Sequence, residues 1–183
     1  LGLPRGGVPV AAEVAARLRA PLHVLAARKL GVPGQPELAV GAVAEQGARF
    51  VDRDLVRRCG VDDHDLAEVE AAALVRLAEE MRTFDVGHRP DLHGRTVIVV
   101  ADGIATGATA RAACRAARAL GASRVVLAVP ASPTDWRARM AGEADDLVCV
   151  GEQDMPAVGC WYDDFRQVSD NEVVRMIAAR SSV

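Results

Sequence analysis

The stretch Thr96–Ala101, T-V-I-V-V-A, constrains the fold more than any other part of the chain. It is β-branched and apolar at consecutive positions. A strand with no polar alternation has no solvated face, so it must be covered on both sides. Asp102 stands at its carboxyl end, Asp102–Gly107 reads as a turn of mostly small residues, and Ala108–Leu120 places Ala113, Ala116, Ala117 and Leu120 at helical spacing. Gly121 is positioned to cap that helix. Arg124–Pro130 (R-V-V-L-A-V-P) is the next strand and Asp146–Val150 (D-L-V-C-V) another. Strands alternating with helices predict an α/β fold: a central, mostly parallel sheet flanked by helices on both faces.

An earlier unit has the same grammar. Leu1–Leu3 reads as the end of a strand, Arg5-Gly6-Gly7 as a turn, and Ala11, Val14, Ala15 and Leu18 as one face of a helix; Pro21–Ala27 (P-L-H-V-L-A-A) reads as the strand after it. Between the two units, Gly31–Val51 is rich in Gly and Pro with short apolar alternations and predicts a mobile hairpin. Asp65–Phe84 predicts a long helix on Leu66, Val69, Ala73, Leu77, Met81 and Phe84, with Glu68, Glu70, Glu79 and Glu80 on a solvated face. Asp170–Arg180 predicts a last helix with Asp170 as its N-cap. Arg111, Arg115 and Arg118 read as the wet side of their helix, and Trp136 as packing a short helix onto the sheet.

The 183 residues fit one domain, 1–183, and the first residue, Leu1, sits inside an apparent strand, so an N-terminal segment is expected to precede it. A chain of this length buries roughly 70% of its unfolded surface and needs no disulfide or structural metal. With aromatics at only 3%, its core must rest on Val, Leu, Ile and Ala. A net charge of −3 argues against a nucleic-acid partner, which requires a basic footprint. No apolar run approaches a membrane span. Cys59, Cys114, Cys149 and Cys160 form no CxxC pair and read as reduced, mostly buried thiols of a cytoplasmic protein. His23, His64, His88 and His93 lack metal-site spacing.

The chemistry concentrates at the strand-to-helix turn. In such sheets ligands bind beyond the carboxyl ends of the strands. Ala105, Thr106, Gly107, Ala108 and Thr109 offer backbone N–H groups with little bulk, two hydroxyls, and the positive end of a helix, which together suit a phosphate. Asp102 beside them suits sugar hydroxyls or a magnesium ion. An ordinary α/β turn could use Asp102 and Thr106 merely as caps; the whole pattern Val97–Thr109, V-I-V-V-A-D-G-I-A-T-G-A-T, says more. It resembles the motif by which type I phosphoribosyltransferases bind 5-phosphoribosyl 1-pyrophosphate (PRPP): four apolar residues, two acids, two mostly apolar residues, then a small-Thr-Gly-x-Ser/Thr loop. It departs at Ala101, where the first acid stands in the family, and at Gly103, where a larger apolar residue is common.

The resemblance extends over roughly Leu1–Pro130. Leu1–Ala11 (L-G-L-P-R-G-G-V-P-V-A) is similar to the family's pyrophosphate loop, which implies pyrophosphate contacts for Arg5, Gly6 and Gly7. Arg28-Lys29 resembles a basic pair that reaches pyrophosphate, with Lys29 the implied contact. The hairpin 31–51 sits where the family has its catalytic flap, and 151–170 where it has a hood over the acceptor. There Trp161, Tyr162 and Phe165 fall within five residues and read either as a stacking surface for a flat base, with Trp161 the base-stacking candidate, or as a small cluster closing the core under the last helix. The run V-G-C-W-Y-D-D-F-R is also similar to the hood of purine enzymes, which implies Asp163 as a second metal ligand beside Asp102.

The function so implied is transfer of phosphoribose between pyrophosphate and a nitrogenous base, with Mg2+ bound mainly through PRPP and Asp102 holding the ribose. The substrates are small molecules, and the resemblance implies a homodimer as the assembly. Ala105, where enzymes acting on 6-oxopurines often carry an acid, lowers the odds of a hypoxanthine or guanine acceptor. Ala101 weakens the grip on the ribose and keeps open a second reading, a non-catalytic PRPP- or nucleotide-binding regulator of the same fold. An unrelated phosphate-binding enzyme is disfavoured, because neither GxxxxGK[ST] nor GxGxxG after a strand occurs.

Overall fold

The chain is described here by a computed structural model covering residues 1–85, 89–154 and 156–179. In chain order its elements are α1 (Gly7–Leu18), β1 (Ala27–Val32), β2 (Gln35–Ala44), β3 (Arg49–Val51), α2 (Arg53–Arg58), α3 (Asp63–Thr83), β4 (Thr96–Val100), α4 (Ala108–Ala119), β5 (Arg124–Ser132), α5 (Trp136–Arg139), β6 (Asp146–Glu152) and α6 (Asp170–Ala178). His88, and Arg180 at the expected end of the last helix, lie outside the described residues.

The strands β4, β5 and β6 form a parallel sheet in that order. Its far side is extended by two unravelled segments, since Gly2 bridges in parallel to both Val100 and Val24. The alternation of side chains along β4 explains why the run had to be apolar throughout. Val97 and Val99 pack with Ala112, Ala113, Ala116 and Ala117 of α4, whereas Ile98 and Val100 pack with Val8, Ala11 and Ala15 of α1 and Val173 of α6. The sheet is therefore clothed on both faces, and α4 lies close because alanines line its inner face.

The second sheet is the antiparallel β1–β2–β3. Two expectations are corrected here. The regular strand begins at Ala27, where Pro21–Ala27 was expected to be one, and it belongs to the hairpin. The 22–26 segment pairs in parallel with Gly2, whose N–H donates to His23 O at 2.9 Å and whose carbonyl accepts from Leu25 N–H at 3.1 Å. Beside that short bridge, Ala26 N–H donates to Glu45 Oε1 at 2.7 Å, and Arg89 donates to Val24 O at 3.0 Å. Glu45 and Arg89 form a buried ion pair at 2.7 Å, so the side chains that take up these remaining backbone groups are themselves paired. The hairpin, moreover, is not loose along its length. Ala39, Ala42 and Ala44 join the core under α4, while Val40 and Val43 join Leu66, Ala73 and Leu77 of α3. The tip, residues 33–37, is the hairpin's longest exposed stretch.

Other surfaces also differ from the expected ones. Glu80 is 7% exposed instead of solvated, because Arg28 Nε lies 2.8 Å from its carboxylate. Arg111 and Arg115 lie over the Phe50 ring, at 4.3 and 5.4 Å from its centroid, and Arg115 pairs with Glu143, so this face of α4 carries β3 and is not simply wet. The N-cap of α6 is Ser169, in a reciprocal capping box with Glu172, one residue before the expected Asp170. Trp136 is fully buried, as expected, but of the cysteines only Cys114 is. No helix among the described residues is long and apolar enough to cross a membrane.

Candidate active site

Where Leu1–Leu3 and β4 end, two strand-to-helix turns face a cavity of about 810 Å3. That volume suits a small molecule or cofactor. Pro4–Gly7 forms one wall, Asp102–Ala110 the next, Arg28 and Lys29 of β1 and the hairpin tip a third, and Arg76 of α3 and Val158 close the rim.

The second turn is built around donors with nothing to donate to. Ile104 is buried and its N–H is tied to Ala131 O at 3.0 Å, which anchors the turn to β5. Gly107 takes the left-handed conformation, φ 81°, and starts α4. Ala108 N–H reaches Thr106 Oγ1 at 3.4 Å. Among the described residues, the backbone N–H groups of Ala105, Thr106, Gly107, Thr109 and Ala110 donate to no protein acceptor. Unspent amides at a helix start, on a cavity wall, make an anion cradle.

The first turn is packed against the second. A Cβ on Gly6 would fall 2.2 Å from Asp102 Oδ2, and one on Gly7 would fall 2.6 Å from the Val100 carbonyl oxygen. The Pro4–Arg5 peptide is cis. Burial raises the Asp102 carboxyl above its ordinary range, while its own N–H and that of Gly103 pull it back down. The cations are already engaged with acids: Arg5 lies 3.6 Å from Asp170 of α6, and Lys29 donates to Glu37 at 2.7 Å.

Arg5, Gly6, Gly7, Lys29, Asp102, Ala105, Thr106, Gly107, Ala108 and Thr109 thus line one cavity, although the chain separates them into three groups. Trp161 and Asp163 are outside its lining. The Trp161 ring lies on β6, where a Cβ at Gly151 would be 2.4 Å from it, and Asp163 is exposed. Tyr162 stacks on Phe165 at 5.0 Å between centroids and donates through Oη to Asp102 O at 2.6 Å. Burial and the Asp102 charge push its phenol up to about 12, so it stays a donor. The aromatic cluster therefore braces the acid from behind. Val158, the first residue of the hood-like run and given no role by its sequence, occupies the space a larger residue at 103 would need: a Cβ on Gly103 would be 2.5 Å from it. That pairing had a faint signal in the unusual glycine of the motif. The backing of Arg28 by Glu80 had none. The trio of exposed Asp62 and His64 with half-buried Asp65, whose ligand atoms lie within 4.8 Å of one another, is remote in sequence from these turns, and Asp62 is engaged as the N-cap of α3.

Chemically, the cavity offers charged groups at one turn, neutral amides at the other, and one half-buried carboxylate between them. It suits a ligand with anionic groups at two ends and hydroxyls in the middle. The sequence comparisons agree in kind. Two Mycobacterium tuberculosis proteins, each named "Putative phosphoribosyl transferase", are 53% identical over 179 residues, which is 97% of this chain; the chain spans 40% of their length. The crystal structure of TT1426 from Thermus thermophilus is similar at a TM-score of 0.76 and 37% identity, covering 99% of this chain and 86% of that one. The family profile described as the phosphoribosyl transferase domain matches residues 1–160, over both turns and the cavity between them, and the chain belongs to that family.

Proposed function

We propose that this domain transfers phosphoribose between pyrophosphate and a nitrogenous base, with PRPP as the donor. The observation that carries the reading is the set of amides at Ala105, Thr106, Gly107 and Thr109, without acceptors among the described residues, on the same cavity as Arg5, Gly6, Gly7 and Lys29. In this reading the amides and the Thr106 and Thr109 hydroxyls hold the 5-phosphate, and Asp102 orients the ribose. Arg5, Lys29 and the Gly6–Gly7 backbone take the charge that grows on departing pyrophosphate. The exposed tip, residues 33–37, covers the cavity during transfer and keeps water from the sugar cation. The acceptor lies toward Ile104 and Val158, with the Trp161–Phe165 cluster behind. The setting is cytoplasmic, in keeping with charged substrates.

The donor set fits magnesium in one manner only. Mg2+ is ordinarily held by one or two carboxylates plus substrate phosphates, and Asp102 is the carboxylate beside the second turn, since Ala101 supplies none and Asp163 stands outside the lining. When bound with substrate, the ion would supply positive charge to the leaving pyrophosphate. Asp102 then does the protein's share at the ribose.

Ala101, only 6% exposed and without a carboxylate to offer, favours a second reading, a regulator that binds PRPP or a nucleotide without turnover. Pyrophosphate release from PRPP, measured with magnesium and a panel of bases, separates the two. We expect release with at least one base, and a fall of about a hundredfold or more in Asp102→Asn. Binding without release from any base would establish the regulator instead. Calorimetric PRPP affinity unchanged in both Asp102→Asn and Thr106→Val would remove PRPP from either account.

A further inference from the structure

We propose that Arg139 is a positioning residue for the phosphate cradle: it fixes the Ala105 carbonyl and so turns the next amide toward the ligand. The inference rests on the phosphoribosyltransferase reading above and adds to it a residue outside the motif. Arg139 Nη1 donates to Ala105 O at 3.0 Å. The Ala105–Thr106 peptide is trans. In a trans peptide plane the C=O and the following N–H point in opposite directions. Holding the Ala105 oxygen therefore also sets the direction of the Thr106 N–H, away from Arg139. Thr106 lines the cavity, and its N–H has no acceptor among the described residues.

Arg139 is itself held. Its Nε and Nη2 both donate to Asp135 Oδ2, at 2.9 and 2.6 Å. Its own carbonyl accepts from Arg111 of α4. Its neighbours Trp136 and Met140 are fully buried, so the short α5 is pinned to the core. Met140 also props the cradle directly, because its Sδ lies 3.2 Å from where a Cβ on Gly107 would be. A turn of small residues cannot hold its own shape by side-chain packing. Here the shape is imposed from outside, by a guanidinium on one carbonyl and a thioether under the glycine. The guanidinium also brings positive charge near the phosphate site while the turn itself, Gly103 to Ala110, carries no ionisable side chain.

The test is calorimetric binding of two ligands that engage opposite ends of the cavity, ribose 5-phosphate and magnesium pyrophosphate. In Arg139→Met the affinity for ribose 5-phosphate should fall about tenfold, the loss of one charge-assisted hydrogen bond. Pyrophosphate affinity should stay within about twofold. Arg139→Lys, which can still donate to the carbonyl, should recover most of the loss. Asp135→Asn, which leaves the arginine but removes its clamp, should show the same selectivity on a smaller scale, about threefold, and carries the test if the methionine variant melts early. An unchanged ribose 5-phosphate affinity in Arg139→Met and Asp135→Asn, or an equal loss for both ligands, overturns the positioning role. If the wild-type domain binds neither ligand, the reading of the cavity itself fails.

Discussion

Two neighbouring turns do the same topological job, strand end to helix start, on one cavity, yet they are built by opposite means. The first carries Arg5 and is flanked by Arg28 and Lys29; its glycines are there for space, wedged against Asp102, Val100 and Ala101. The second has no ionisable side chain from Gly103 to Ala110, and its glycine is there for conformation, at φ 81°. An anion arriving at the first turn must compete with acids that already hold its cations, Asp170 for Arg5 and Glu37 for Lys29. At the second turn it meets amides that, Ala108 and the anchoring Ile104 apart, have no acceptor among the described residues. Formal charges make one turn responsive to salt and pH; fixed dipoles make the other indifferent to both. The proposed reaction, with a phosphate to retain and a leaving group to release, would call for that difference.

The largest effect should come from closing the space between the turns. In Gly7→Ala the new methyl meets backbone on every side: the Val100 carbonyl oxygen at 2.6 Å and the Ala101 Cα at 2.9 Å. Backbone in the middle of a clothed sheet cannot swing aside as a side-chain tip can. Overpacking of this kind costs about 3 kcal/mol. Urea denaturation should show that loss, and pyrophosphate binding should weaken with it. A loss below about 1 kcal/mol would mean that the two turns are not packed as a unit.

Next is the pH dependence of the charged turn. Glu80 is enclosed by Arg28 of β1 and the Ala27 N–H, with Arg5 and Asp170 beyond; burial outweighs their net pull and raises its carboxyl to about 7. Unfolded, it titrates at the ordinary 4.5. Between those values the folded chain holds a proton that the unfolded chain has released, so this group's stabilising contribution is full at low pH and is lost as pH rises toward 7. From pH 5 to about 7 the loss is about 2 kcal/mol. Glu80→Gln keeps the shape without the titration. Melting curves of wild type and variant, subtracted at each pH, should differ by that slope. Parallel curves would show that Arg28 keeps Glu80 ionised and that the first turn gains no pH response from it.

What could be read from the chain, and what could not, divides along the same line. The β4–turn–α4 unit is legible because its causes are local: an unbroken apolar strand, then small residues, then alanines at helical spacing. The cradle residues follow from it. The misread parts have causes distant in sequence. Pro21–Ala27 looks like a strand, but it is paired only briefly, at Val24 with Gly2, and Ala26 N–H and Val24 O go to Glu45 and Arg89, the latter separated from Val24 by 65 positions. Glu80 follows the pattern of a solvated helix face until β1 brings Arg28 against it. Trp161 and Tyr162 are flat, exposed-looking aromatics whose partners, Gly151 and the Asp102 carbonyl, carry no periodic signal. Arg139 belongs to the same class: nothing near residue 139 announces a cradle at 105.

The smallest effect should come from the second turn, and its smallness is the informative part. Gly107→Ala puts a side chain in the left-handed region, which costs about 1–2 kcal/mol. Alanine also narrows the unfolded ensemble, which returns about 0.4–1 kcal/mol. The nearest obstacle is the Met140 thioether at 3.2 Å, the end of a flexible side chain. The net loss in stability should be about 1 kcal/mol, a third of that for Gly7→Ala, with the cradle deformed and the sheet intact. Ribose 5-phosphate binding, measured beside the melt, should therefore fall out of proportion to stability, whereas in Gly7→Ala the two fall together. If Gly107→Ala instead unfolds the domain as readily as Gly7→Ala does, the second turn is as tightly packed as the first, and conformation is not what its glycine provides.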